Sequence, residues 1–112
     1  MRGDPMHRWV HRWGFAVVRG SSMLPTLRPG DRLLVRHGGS PRVGAVVVCR
    51  LSDRHGPVVA VKRAVRREPG GWWVQADHQQ PGVVDSWRVG TILDADLIAV
   101  AVARVWPRPR RI

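Results

Sequence analysis

Apolar residues in this chain come in short runs cut by glycine and proline, and none keeps a helical period beyond a turn or so. The segments 15–19, 32–37, 45–50, 58–67, 72–75 and 98–106 are rich in Val, Leu, Ile and Trp. Turn signals separate them: Arg28-Pro29-Gly30-Asp31, His37-Gly38-Gly39-Ser40-Pro41, Pro69-Gly70-Gly71 and Pro81-Gly82. Short β-branched runs bounded by such turns predict strands, and strands in this succession predict one compact all-β domain. Helix is expected only as isolated turns, one amphipathic turn at Trp9, Val10 and Trp13 and another over 94–97. The expected organisation is an N-terminal segment 1–14, a domain over 15–106, and a Pro/Arg tail over 107–112, extended or frayed.

Composition narrows the class. The chain has 112 residues, enough for one modest core. Its hydrophobic share of 44% beside 24% charged residues argues against wholesale disorder. A net charge of +11 points to an anionic partner such as nucleic acid or a membrane surface. The basic residues are scattered, however, and cluster only at Arg108, Arg110 and Arg111, which favours a solvated arginine surface and no obligatory nucleic acid. Cys49 is the one cysteine and cannot form a disulfide within the chain. His7, His11, His37, His55 and His78 are spread out, so neither metal nor cofactor is expected. The longest apolar run, 97–103, falls far short of the ~20 residues that span a bilayer. Arg2, Asp4, Arg8 and Arg12 leave no apolar leader, so the expected location is cytoplasmic, without a membrane anchor.

Among 19 lysine and arginine residues, Lys62 is the single lysine. Arginine does not give up its proton in proteins, whereas a buried lysine can be brought toward neutrality and serve as a general base. Strand alternation over 58–67 puts Val58, Ala60, Lys62 and Ala64 on one face and Val59, Val61, Arg63 and Val65 on the other. Lys62 then projects among small apolar side chains. Ala60 and Ala64 beside it suit small substrate side chains.

The nucleophile that such a lysine needs is offered by Arg19-Gly20-Ser21-Ser22-Met23-Leu24-Pro25-Thr26-Leu27, where a strand runs into a small-residue turn. That arrangement exposes a hydroxyl and aims backbone N–H groups at a developing oxyanion. Gly-x-Ser-Met-x-Pro-Thr-Leu resembles the active-site box of type I signal peptidases and their relatives, which use a Ser-Lys dyad. The serine before Met is the nucleophile in that family, which implies Ser22. Leu27-Arg28-Pro29-Gly30-Asp31 and the run after it resemble the family's Pro-Gly-Asp turn, and Val61-Lys62-Arg63-Ala64-Val65 resembles the box carrying the base. A third box is matched by Ala76-Asp77-His78 and Asp85-Ser86-Trp87-Arg88-Val89-Gly90.

The resemblance implies a coiled β-sheet or barrel, with Ser22 and Lys62 as dyad. It implies Gly20, Ser21 and Ser86 in oxyanion or supporting positions and Met23 toward substrate, beside Ala60 and Ala64, which strand alternation alone puts there. Asp77 and Asp85 would pair with Arg63 or Arg88 as structural salt bridges. Val83 stands where many relatives have a serine that holds the lysine, which leaves that task to Ser86 or a backbone carbonyl.

Short length, arginine-rich composition and the Gly70-Gly71-Trp72-Trp73-Val74 stretch resemble an anchor-less branch that matures nickel-type superoxide dismutase. The expected partner is therefore a precursor protein losing its N-terminal propeptide. Other readings are a signal peptidase at the membrane surface, a pseudoenzyme, and a basic β-domain stacking bases on Trp9, Trp13, Trp72, Trp73 or Trp87. Self-cleaving SOS repressors share the dyad but carry a DNA-binding domain, for which the N-terminal segment is short.

Overall fold

The computed structural model describes residues 12–38 and 40–112. The chain forms strands β1 (Trp13–Val17), β2 (Arg32–His37), β3 (Val46–Asp53), β4 (Gly56–Glu68) and β5 (Gly71–Gln75). A four-residue helix, α1 (Ser86–Val89), precedes β6 (Ile92–Leu93), a 3₁₀ turn (Asp94–Asp96), β7 (Leu97–Trp106) and β8 (Arg110–Arg111). The strands join in one antiparallel sheet in the order β1-β2-β7-β3-β4-β5-β6, with β8 pairing β7. The all-β expectation holds.

β3 explains the architecture. Val46, Val47, Val48 and Cys49 are all buried, so the strand is covered on both faces. Val46 and Val48 join one cluster with Val18, Met23, Leu27, Leu33, Val35, Ala99 and Ala101. Val47, Cys49 and Leu51 face a second, with Ala64, Trp72, Val74, Ile92 and Val100. An unbroken apolar run is the sequence form of such a strand, since neither face meets water. The sheet must coil to supply both faces.

Several boundaries differ from the sequence reading. β1 starts at Trp13, which places that residue in a strand; Trp9 and Val10 of the expected amphipathic turn lie outside the described residues. α1 was not anticipated. Asp85 caps it by accepting from the Trp87 N–H, and Gly90 at φ 82° closes it. Four residues are too few to show a helical period, so only the cap and the glycine were there to be read. The tail is extended but not frayed, because Arg110 and Arg111 pair with Arg104 and Ala103 of β7. The turn expected over 94–97 is present as the 3₁₀ turn. No helix among the described residues is long and apolar enough to cross a membrane.

Candidate active site

Lys62 is central to β4. The ladder sets it opposite Val47 of β3, with Cys49 opposite Ala60 one step along, so these side chains share the face of the second cluster. That position leaves Lys62 only 5% exposed. Its Nζ donates to Ser22 Oγ at 3.2 Å, across 40 residues of chain. Burial lowers the Lys62 pKa below the ordinary lysine value, and the charges of Asp85 and Cys49 oppose that shift in part.

Ser22 lies on the turn that follows β1. Gly20 takes φ 72°, a conformation costly for any residue with a Cβ, and turns the chain out of the sheet. Met23 and Leu27, 1% and 0% exposed, then pin the turn into the first cluster, with the Leu27 N–H bonded to the Met23 carbonyl. Ser22 is held between the exposed glycine and the buried methionine. The third segment clasps it from outside. The His78 N–H donates to the Ser22 carbonyl at 2.8 Å, and Gln80 Nε2 donates to Ser21 Oγ at 3.0 Å.

Arg63 and Asp77 tie these parts together. Arg63 Nε and Nη2 reach the two Asp77 oxygens at 2.9 and 2.6 Å, and Nη1 reaches the Gly44 carbonyl at 2.8 Å. Thr26 Oγ1 donates to Asp77 Oδ2 at 2.7 Å. Burial pushes the Asp77 carboxyl up, but the hydrogen bonds from Arg63 and Thr26 and the Arg63 charge outweigh it, leaving Asp77 below the usual carboxylate range.

Other expected site residues have different roles. Asp85 makes no ion pair with Arg88, which is exposed. Its Oδ2 accepts from the Ala76 N–H and Gln79 Nε2, both at 2.9 Å, and its Oδ1 accepts from the Trp87 N–H at 3.0 Å. Three donors satisfy a carboxylate that is 1% exposed, so an arginine is not needed to bury it. Ser86 does not hold Lys62; its hydroxyl accepts from the Val74 N–H at 2.8 Å and fixes α1 to β5. Met23 and Ala64 are core residues with no surface for a substrate, because the turn and β4 each direct them inward.

Two cavities meet at the Ser22–Lys62 contact. One, about 440 Å³, runs between β1 and β4 and is lined by Phe15, Val17, Val48, Val59, Val61 and Ile98 among others. The second, about 390 Å³, lies on the other side and includes Gly20, Ser21, Asp53, Gln80 and Val83. Ser22, Lys62 and Ala60 line both. Along the first cavity, β1 pairs only with β2, and β4 before Arg63 pairs only with β3. Each strand therefore turns an unpaired edge toward that space. Val83, which has no hydroxyl to offer, lines the second cavity together with Lys62.

Cys49 was passed over in the sequence because it has no partner cysteine. Burial pushes its thiol up to about 12, with Lys62 opposing and Asp96 adding to the shift. Only strand register reveals that it neighbours the lysine. Among the described residues no group of three or more His, Cys, Asp or Glu side chains is placed to hold a metal ion.

A sequence model of the Peptidase S24-like family matches residues 9–102, most of the chain. This family is related to the type I signal peptidases that the three boxes resemble, but is not the same family. No curated protein matches the chain in sequence.

Proposed function

The chain belongs to the Peptidase S24-like family, and from that membership and the Lys62–Ser22 contact we propose an endopeptidase with Ser22 as nucleophile and Lys62 as general base. The observation that carries this reading is a lone lysine, buried and lowered in pKa, with its Nζ 3.2 Å from a serine hydroxyl. Neutral Nζ takes the Ser22 proton as Oγ attacks the peptide carbonyl carbon. The resulting ammonium returns that proton to the leaving amine, and the acyl group stays on Oγ. Water then attacks the ester carbon and gives a proton to Lys62, the bond to Oγ breaks to release the new carboxyl end, and Lys62 passes the proton to Ser22 Oγ. The Ser22 N–H donates to no group among the described residues, which suits it to the oxyanion.

The substrate enters as an extended segment added to the free edges of β1 and β4. Its class is a precursor protein that loses an N-terminal propeptide, and the resemblance of the motifs favours the nickel-type superoxide dismutase precursor. The test is incubation of that precursor with the purified protein and mass spectrometry of the new N-terminus. Wild type cuts at one bond, while Ser22→Ala, Lys62→Ala and Lys62→Arg do not. Cleavage that persists in Ser22→Ala ends the mechanism; cutting of a secretory preprotein instead replaces the substrate alone.

A second reading is favoured by one surface feature. Trp13, Phe15 and Val17 are exposed on β1, and Phe15 and Val17 line both the first cavity and a neighbouring groove that includes exposed Trp106, on a chain of net charge +11. That combination suits work on preproteins at an anionic membrane surface, and sedimentation with anionic vesicles that is lost in high salt would support it.

A further inference from the structure

The second cavity contains a carboxylate that the dyad does not use. Asp53 ends β3, where the register sets it opposite Gly56. Alternation along β3 gives it the same face as Leu51 and Cys49, and hence as Lys62 of β4. One of its oxygens accepts from the His55 N–H at 2.7 Å, which fixes the carboxylate in the hairpin turn. No second hydrogen bond to this side chain is formed among the described residues.

Among the described residues no cation pairs with it, which sets it apart from most of the other acidic side chains described. Asp31, Glu68, Asp77, Asp94 and Asp96 each pair with an arginine. Asp85 has no arginine but is buried under three N–H donors. Asp53 is half-buried with neither compensation. The same cavity is lined by Leu51, Val58 and Val83, by the polar Ser21 and Gln80, and by Lys62, its one basic residue. In a protein with eighteen arginines, Asp53 is thus a cavity-lining carboxylate with no arginine partner among the described residues.

The unpaired edge of β4 runs from Gly56 to Lys62, so a substrate strand laid along it leads from the dyad toward Asp53. We propose that Asp53 selects a lysine or arginine side chain of the substrate a few residues from the cut bond. Gly56 is six positions from Lys62 along β4, at roughly 3.3 Å each. Side-chain reach then places the cation about two to five residues from the cut. This inference rests on the endopeptidase reading above.

The experiment uses a synthetic library of short extended peptides, randomised on both sides of a central Ala-Ala, with cleavage followed by mass spectrometry. Asp53→Asn keeps the acceptor for the His55 N–H and removes only the charge; Asp53→Lys reverses it. Wild type is expected to favour Lys or Arg over Glu by about tenfold in kcat/KM at one position two to five residues from the cut. That ratio falls to about one in Asp53→Asn and inverts in Asp53→Lys. Ser22-dependent cleavage with the same ratio in wild type and Asp53→Asn overturns this inference and leaves the dyad standing. No Ser22-dependent cleavage of any peptide overturns both.

Discussion

Arg63 and Asp77 meet through two hydrogen bonds, one residue after Lys62 on β4 and one residue before His78, whose N–H binds the Ser22 carbonyl. A single ion pair thus joins the strand carrying the lysine to the segment clasping the serine. Thr26, on the serine's own turn, binds the same carboxylate. The distance between Nζ and Oγ is set by this brace as well as by the sheet.

Asp77→Asn should therefore lower stability by about 1–3 kcal/mol, because part-buried Arg63 loses its counter-charge and one of its three hydrogen bonds. Urea unfolding measures the loss. The folded pKa of Asp77 is depressed, so its contribution is present above the ordinary aspartate value of about 4 and is lost as pH falls through the folded value. The wild-type and Asp77→Asn stability curves should converge in that acid range.

Cleavage should rise with pH and level off at a pH below the ordinary lysine pKa of 10.5, since the neutral amine is the active form and burial lowers its pKa. A kcat/KM profile against pH locates the midpoint. A profile still climbing past that value would mean that Lys62 is not the base.

Lys62→Met should abolish cleavage and raise the melting temperature. The buried amine has a folded pKa below its unfolded one, so the unfolded chain binds the extra proton, and stability rises with pH between the two values. Replacing the amine with an apolar side chain removes this penalty, worth about 1–3 kcal/mol near neutral pH. Calorimetry at pH 6, 8 and 10 should show the gap between variant and wild type narrowing as pH rises.

Ser86→Ala should cost about 1–3 kcal/mol, because it strips the buried Val74 N–H of its acceptor. The pH profile of cleavage should keep its midpoint, as Ser86 does not touch Lys62. A shifted midpoint would restore Ser86 as the group that orients the lysine.

Cys49 should resist iodoacetamide in the native protein at pH 8 and react fully in urea, since its thiol is buried and pushed up to about 12. Mass spectrometry counts the adducts. Native cleavage should survive the reagent, which separates a serine mechanism from a cysteine one.

The sequence by itself determined the strands, because glycine and proline punctuate runs whose chemistry suits a pleated sheet. It also singled out Ser22 and Lys62, one by a dense local motif and the other by being the only lysine. The roles of Asp85, Ser86, Met23 and Ala64 were decided by tertiary structure. Whether a carboxylate meets arginine or three N–H groups depends on which segments converge on it, and local spacing does not record that. Met23 and Ala64 lie beside Ser22 and Lys62 in sequence but point into the core, since the turn and the sheet register assign each side chain its face. The neighbourhood of Cys49 and Asp53 was set the same way, by a β3–β4 register that brings residues from different strands onto one surface beside the lysine.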